Sequence, residues 1–240
     1  MKIMIIRHAD PDYSIDSLTE TGWIEAELLS ERMKNVKVKN FYVSPLGRAK
    51  KTAEYTLTKL GRNAIECDWL KEFPAKIIKP HREKEGVAWD WLPQDWTKHD
   101  DFYCYENWTN VELMKKSDAL EQYNYVVTEF DKILEKHGYK RNGRIYDAVC
   151  PNNDTIAFFC HFGLECVLLS HLMSVSPMIL WHNTCALPSS VTTIITEERV
   201  KGIASFRMNG FGDISHIYAG GEEPSFAARF CETFDNDERH

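Results

Sequence analysis

Residues 2–9 read KIMIIRHA, a short continuous apolar run followed at once by an arginine and a histidine. A run of this length without polar interruption is typical of a strand that is buried on both faces of a sheet. Thr155 to Cys160 repeats the pattern, and a second histidine, His161, follows it. The two segments predict central strands with polar, chemically useful residues directly after them.

The rest of the chain alternates between helical and strand patterns. Predicted helices cover about Glu20 to Lys34, with Ile24, Leu28 and Met33 facing inward, and then Pro45 to Leu60, Leu120 to Leu134 and Leu164 to Met173. Predicted strands cover Asn40 to Val43, Ala64 to Cys67, Ser189 to Thr196 and Ile203 to Met208. This alternation predicts an α/β three-layer sandwich, with a mostly parallel central sheet and helices on both faces.

The middle of the chain departs from this alternation. Between Pro74 and about Asn110 the sequence has no clean period and carries four tryptophans, Trp89, Trp91, Trp96 and Trp108. We therefore predict a single domain over residues 1–240, in which an insertion at about 74–150 forms a cap or lid over the site. The tryptophans form the core of this extra lobe or line the substrate cleft.

The composition narrows the range of partners. The chain has 240 residues, 43% of them hydrophobic, which is enough to build a core, and its formal net charge is −7. An acidic chain offers no broad positive field for nucleic acid or an anionic membrane, so we expect neither as a partner. The 7 cysteines contain no Cys-x-x-Cys pair, and neither a secretory signal nor a transmembrane run is visible. We expect buried free thiols and a cytoplasmic protein; the oligomeric state is not predicted.

Polar residues follow each predicted strand. Arg7-His8-Ala9-Asp10 follows the first, Ser44-Pro45-Leu46-Gly47-Arg48 the second, Leu70-Lys71-Glu72 comes shortly after the third, and His161-Phe162-Gly163 follows the fourth. Because ligands of open α/β sheets bind at the carboxyl ends of strands, we expect these side chains to converge.

Two histidines, two arginines and a carboxylate suit phosphoryl transfer through a histidine. Neutral imidazole is a competent nucleophile near pH 7, and guanidinium groups match phosphoryl oxygens with paired hydrogen bonds. A protonated second histidine stabilises the charge of the transferring group. A carboxylic acid protonates the leaving oxygen and later activates water. Such a scheme needs no metal and no cofactor.

The chain resembles the histidine phosphatase superfamily, which includes the phosphoglycerate mutases. The matching segments occur in order along nearly the whole chain: Arg7-His8-Ala9, Leu18 to Gly22, Ser44 to Ala49 with Thr52-Ala53, Cys160 to Gly163, and Asn209 to Ile217, which resembles the closing strand region of the family. Ala9 and Phe162 depart from the family pattern, in which smaller residues stand at these positions.

The resemblance implies a phosphoglycerate mutase-like fold and assigns roles to individual residues. It makes His8 the residue that is phosphorylated, Arg7, Arg48 and His161 the phosphate pocket, and Glu72 the proton donor. Asp10 and Ser14 are further candidate contacts. Asp10, Asp12 and Glu66 compete with Glu72 for the role of the acid.

Two other kinds of site fit the sequence less well. Asp10-Pro11-Asp12 matches the Asp-x-Asp signature of magnesium-dependent phosphatases, but Arg7-His8 occupies the strand end where that signature belongs. Cys160, His161, Glu165 and Cys166 have unsuitable spacing for a metal site. The remaining histidines are expected to be structural or at the surface, although His81 and His182 are candidates for substrate contact: His81, His99, His137, His171, His182 and His216.

The sequence thus predicts a metal-independent phosphomonoester hydrolase that acts on a small phosphorylated substrate through a phosphohistidine at His8. One alternative is a phosphoglycerate mutase-type phosphotransferase, but Glu72-Phe73-Pro74-Ala75 lacks the Arg-His-Tyr-Gly stretch of those mutases. A second alternative is a catalytically idle phosphate-binding regulatory module.

Overall fold

The computed structural model describes residues 1–80 and 82–225. The strands within this part of the chain are β1 Lys2–Arg7, β2 Pro11–Asp12, β3 Ser17–Leu18, β4 Asn40–Val43, β5 Ala64–Glu66, β6 Lys76–Ile77, β7 Gly86–Val87, β8 Tyr139–Asn142, β9 Ile145–Ala148, β10 Thr155–Cys160, β11 Val191–Val200 and β12 Ile203–Asp213.

The α-helices over the same residues are α1 Glu20–Met33, α2 Gly47–Leu60, α3 Pro93–Trp96, α4 Glu112–Lys115, α5 Ala119–Lys136, α6 Phe162–Met173, α7 Pro177–Asn183 and α8 Ser215–Ala219. Short 3₁₀ helices cover Asp68–Leu70, Asp100–Tyr103 and Trp108–Asn110. The closing segment resembling the family's last strand is therefore strand only as far as Asp213, and Ser215-His216-Ile217 begins a short helix.

The central sheet of the described residues has 8 strands in the order β5-β4-β10-β1-β11-β12-β9-β8. The half formed by β5, β4, β10 and β1 is parallel. The other half, from β11 to β8, is joined by antiparallel pairings. The three-layer α/β architecture is confirmed, but the sheet is mixed rather than mostly parallel, because the later strands return through hairpins.

The two faces of β1 explain the layers. Met4 and Ile6 pack with Leu29 and Met33 of α1 on one face. Ile3 and Ile5 belong to the larger core on the other face, which includes buried residues of α5 and α6. Because successive strand residues point to opposite faces, a continuous apolar run is what a strand between two helical layers requires.

In helix α1 the apolar pattern does not predict the buried face correctly. Ile24, expected to face inward, is 45% exposed, and Glu25 is buried instead. The Glu25 carboxylate accepts a hydrogen bond from the backbone N–H of Asp10 at 2.8 Å. The inner face of α1 thus carries a polar contact to the segment after β1. Helix α2 starts at Gly47, two residues after Pro45, and Gly61 caps it in the left-handed conformation.

The segment predicted as an insertion is not uniform. Within residues 74–150, β8 and β9 extend the central sheet, and α5 packs its buried face into the larger core. The described residues of 74–118 form short helices and the small β6–β7 sheet, without a long element. That this part caps the site stays a prediction.

Two further sequence expectations concern thiols and membranes. Cys67, Cys160 and Cys166 are buried free thiols, whereas Cys150 is an exposed one; Cys231 lies outside the described residues. No helix in the described part of the chain has the length and apolar character needed to cross a membrane.

Candidate active site

His8 follows the last residue of β1 and is held on both sides by neighbouring chain segments. Its backbone N–H donates to the carbonyl of Cys160 at 2.9 Å, and its own carbonyl accepts from the N–H of Ser189 at 3.1 Å. The ring is 2% exposed, and Nδ1 lies 2.8 Å from the carbonyl oxygen of Ala9. Because a carbonyl only accepts, Nδ1 carries the proton and Nε2 has the free lone pair.

His161 follows β10, the parallel neighbour of β1, and its ring centroid lies 5.1 Å from that of His8. Its Nε2 is 2.8 Å from the hydroxyl of buried Ser44, which also accepts from the N–H of Leu46. The Ser44 proton therefore goes to Nε2, because a buried hydroxyl needs an acceptor. This leaves the His161 proton on Nδ1.

Arg7 ends β1 and lies beside both histidines. Its guanidinium donates through Nη1 to the carbonyl of Ala186 and lies over the ring of Phe162, 5.7 Å from the centroid. Phe162, which departs from the family pattern, therefore packs against the Arg7 guanidinium.

The pKa of His8 is lowered well below the usual range, first by burial and then by the positive charge of Arg7, with a smaller contribution from Arg48. Burial therefore outweighs charge repulsion as the cause of this lowered pKa. The pKa of His161 is also lowered well below normal, again mainly by burial. Burial thus favours the neutral ring in the free protein, and a protonated His161 in the complex with phosphate stays a prediction.

Arg48 stands in the first turn of α2 and is oriented by an acid that the sequence did not single out. Asp16 accepts from Arg48 Nη1 at 2.8 Å and from the N–H of Gly47 at 2.6 Å. A Cβ at Gly47 would come within 2.1 Å of the Asp16 carbonyl oxygen, so this approach requires glycine. The exposed Tyr13 ring lies 5.3 Å from the Arg48 guanidinium. The one sign of the Asp16 contact in the sequence is the glycine, Gly47, that directly precedes Arg48.

Asp16→Asn is expected to lower kcat/KM for phosphate esters by about tenfold, mostly through KM. The amide keeps the size of the side chain but loses the charge that orients Arg48. Steady-state kinetics would check this. Glu66→Gln is the control, because exposed Glu66 pairs with Lys50, which lies on α2 as Arg48 does. Equal kinetics for Asp16→Asn and wild type would contradict the orienting role.

Glu72 lies against the first turn of α6, the helix that follows His161. Its Oε1 accepts from the N–H groups of Phe73 at 2.8 Å and Leu164 at 2.9 Å. Its Oε2 has one longer contact, 3.3 Å from the N–H of Gly163. Burial raises the pKa of Glu72, opposed by these N–H groups and by Arg7. The less engaged Oε2 is the oxygen that can hold a proton.

The competing acids are engaged elsewhere. Asp10 accepts from the hydroxyls of Thr19 and Ser225, each at 2.6 Å. Asp12 accepts from exposed Ser14, also at 2.6 Å. Of the four acids considered, Glu72 is the one bonded to the helix that follows His161. Asp10 and Ser14 stay predicted contacts, with their side chains occupied by these partners.

Two carboxylates near Arg7, Glu25 and Glu165, are buried on helices, which the sequence pattern does not predict. Burial raises the pKa of Glu25 and of Glu165 to about 7, and the charge of Arg7 opposes both shifts. Glu165, on α6, is 1% exposed. Acids on helices are usually solvated, so no linear signal marked them as buried.

Glu165→Gln is expected to remove a pH-dependent loss of stability. The folded carboxyl keeps its proton up to about pH 7, and the unfolded one releases it near 4.5. The wild type therefore loses stability as pH rises between these values, by about 3 kcal/mol from this group. Urea unfolding should show that the free energy of unfolding of Glu165→Gln, relative to wild type, is higher at pH 8 than at pH 5. Glu54→Gln, at an exposed position, should show no such change. A pH-independent difference for Glu165→Gln would contradict this.

Four buried nitrogens in this cluster have no hydrogen-bond partner within residues 1–80 and 82–225: Arg7 Nε, Arg48 Nε, His161 Nδ1 and Trp89 Nε1. All four are donors, and buried donors are normally paired. A set of donors next to two guanidinium groups is complementary to an anion with several oxygens.

The remaining described histidines contact neighbouring side chains and backbone groups. His182 accepts from the N–H of Trp91 at 2.9 Å and stacks on Trp96 at 5.0 Å. His171 pairs with Asp131 at 2.8 Å. The other described histidines also contact neighbours: His99 with Phe102, His137 with Tyr42, and His216 with Ser189. His81 lies outside the described residues.

The four tryptophans of the inserted segment divide between the larger core and the neighbourhood of Gly163, and their contact with substrate stays a prediction. Trp91, Trp96 and Trp108 are buried in the larger core. Trp89 instead reaches the site, beside Gly163. A separate cavity of about 750 Å³ lies between this segment and the end of α7, and its lining includes Lys79 and Arg82.

Comparison with known proteins identifies the family to which this α/β fold belongs. The sequence matches the profile of the histidine phosphatase superfamily (branch 1) over residues 3–208. The chain belongs to this superfamily. No curated protein matches it.

Solved structures share the fold at low sequence identity. Phosphoserine phosphatase from Entamoeba histolytica, in complex with 3-phosphoglyceric acid, is 15% identical, with a TM-score of 0.57 over 90% of this chain and 98% of that one. Mycobacterial glucosyl-3-phosphoglycerate phosphatase is 16% identical, with a TM-score of 0.55 over 88% and 98%. Alpha-ribazole phosphatase from Shigella flexneri is 16% identical, with a TM-score of 0.53 over 89% and 97%.

Proposed function

We propose that this protein is a cytoplasmic phosphomonoester hydrolase that forms a phosphohistidine on His8 and needs no metal ion. The observation that carries the proposal is the fixed tautomer of His8. Its Nδ1–H is bound to the Ala9 carbonyl, which leaves the lone pair of Nε2 for attack on phosphorus, and Arg7, Arg48 and His161 lie close enough to interact electrostatically with the ring.

In the first step His8 Nε2 attacks phosphorus, and the bond from phosphorus to the ester oxygen breaks. Burial and the adjacent arginine keep the imidazole neutral, so the lone pair is present below neutral pH. Formation of the N–P bond places positive charge on the ring, which the Nδ1–H bond to Ala9 spreads toward the backbone.

Side chains of the protein stabilise the negative charge of the phosphoryl group during transfer. Arg7 and Arg48 supply guanidinium N–H groups, and His161 supplies its Nδ1–H. Asp16 and the Ala186 carbonyl fix the orientation of the two guanidinium groups before substrate binds. These donors take the place that a metal ion has in other phosphatases.

Glu72 serves both steps as the acid and then the base. Its raised pKa favours the protonated form, and Oε2 passes that proton to the leaving oxygen. In the second step the carboxylate takes a proton from water, whose oxygen attacks phosphorus as the N–P bond breaks. Phosphate leaves, and His8 and Glu72 return to their starting protonation.

The substrate is a small phosphorylated molecule, and the inserted segment selects its leaving group. Lys79 and Arg82 line the neighbouring cavity together with Asp90 and Asp95, and the candidate substrates are a phosphorylated sugar, a nucleotide and a phosphoprotein. The choice among these classes calls for a substrate screen.

Release of phosphate from p-nitrophenyl phosphate, and then from a panel of these esters, tests the proposal. We expect turnover that persists in EDTA. Turnover that depends on added Mg²⁺ would contradict the metal-independent mechanism. Phosphate binding without hydrolysis of any ester would instead favour an idle regulatory module.

A further inference from the structure

Trp89 belongs to the inserted segment, and its main chain is fixed by that segment. The N–H of Ala88 donates to the Ala75 carbonyl at 2.8 Å. Lys79 Nζ donates to the Trp89 carbonyl at 3.1 Å. The indole is therefore carried by an anchored backbone.

The Trp89 side chain meets the catalytic cluster at Gly163. A Cβ at Gly163 would lie 2.7 Å from Trp89 Nε1 and 2.7 Å from Glu72 Oε1. The indole also packs edge-on against Phe162, with centroids 6.1 Å apart. The indole nitrogen thus lies on the same side of Gly163 as the carboxylate of Glu72.

The indole N–H is buried and has no acceptor among the described residues. Glu72 Oε1, its polar neighbour on the same side of Gly163, already accepts two backbone N–H groups. A buried donor of this kind normally has a partner, so it is suited to an acceptor on a bound molecule.

We propose that the Trp89 indole N–H binds an oxygen of the leaving group and so determines specificity. The inference rests on the proposed function, in which Glu72 protonates the ester oxygen. Because Trp89 Nε1 lies beside Glu72, it faces the carbon side of the ester rather than the arginine side. The residue then favours phosphate monoesters that carry a carboxylate or hydroxyl next to the ester carbon.

Binding to Trp89 is testable without turnover. The chain has 7 tryptophans, and the indole ¹⁵N–¹H signal that is missing in Trp89→Phe identifies this one. Phosphonoacetate, which has a carboxylate on the leaving-group side, should shift that signal. Methylphosphonate, which lacks the carboxylate, should bind without a comparable shift. Equal shifts with both would place the indole at the phosphoryl group, and no shift with bound phosphonoacetate would overturn the contact.

Kinetics with a matched substrate pair give the second test. Trp89→Phe keeps the aromatic packing and should lose about tenfold in kcat/KM on 2-phosphoglycolate but little on ethyl phosphate. Trp69→Phe is the control, since Trp69 packs between Phe130 and Phe158 and should leave the ratio unchanged. Equal losses on both esters would contradict the inference. An indole shift in a protein that hydrolyses neither ester would refute the hydrolase and retain the contact.

Discussion

His8→Ala is expected to abolish hydrolysis, with a loss of at least about 10⁴-fold in kcat for every phosphate ester. The variant loses the imidazole nitrogen that attacks phosphorus in the proposed mechanism, and alanine offers no replacement nucleophile. Arg7, Arg48 and His161 stay, so the variant should still bind phosphate. The measurement pairs steady-state turnover with phosphate binding by calorimetry.

Trapping the intermediate adds a qualitative check. Wild-type protein mixed with labelled substrate and quenched in alkali should carry label that is released by acid, as expected for a phosphohistidine. His8→Ala should carry none. His171→Gln is the matched control, since His171 lies near the far end of α6 and pairs with Asp131. Undiminished turnover in His8→Ala would refute the mechanism.

The residues that sequence reasoning brought together are those at strand ends. The strands β4, β10 and β1 are adjacent and parallel, so Ser44, His161 and His8 emerge at one edge. Continuous apolar runs marked these strands, and the polar residues after them needed no knowledge of long-range contacts. Arg48 followed by the same logic, because it lies in the first turn of the helix after β4.

The residues that sequence reasoning missed depend on tertiary contacts. Asp16 reaches Gly47 and Arg48, 31 and 32 positions away in the chain. Trp89 reaches Gly163 from an insertion without a regular period. Such contacts leave no periodic trace, because each is set by the folded path of a loop.

The mixed sheet was missed for a different reason. Strands β8 and β9 lie at the edge and alternate buried and exposed residues, so they lack the apolar signal of β1. The one local sign was Asn142-Gly143, a common hairpin-turn sequence, and Gly143 indeed has φ of 59°. The burial of Glu25 was likewise missed, because the inner face of a helix normally carries apolar residues. Here the Glu25 carboxylate accepts a hydrogen bond from the N–H of Asp10.

The pH dependence of turnover follows from the two groups that exchange protons. The pKa of His8 is lowered, so the nucleophile is lost to protonation only well into the acid range. The pKa of Glu72 is raised, so the acid form persists above the usual carboxyl range and is lost on the alkaline side. For esters with poor leaving groups, kcat should be bell-shaped with an optimum below neutrality.

Glu72→Gln is expected to lose about 10³-fold in kcat on an alkyl phosphate and far less on p-nitrophenyl phosphate. Glutamine keeps an acceptor for the N–H groups of Phe73 and Leu164 but has no proton to give. An alkoxide cannot leave without that proton, whereas nitrophenolate leaves readily. The alkaline limb of the alkyl phosphate profile should also disappear.

The comparison is made within one enzyme preparation, so differences in folding cancel between the two substrates. Glu66→Gln serves as control, because this exposed acid pairs with Lys50 and lies outside the cluster. It should leave both rates and both pH profiles unchanged. Equal losses on the two esters in Glu72→Gln would show that Glu72 is not the acid. Asp10 and Asp12 would then be tested next, because they follow His8 most closely in the chain.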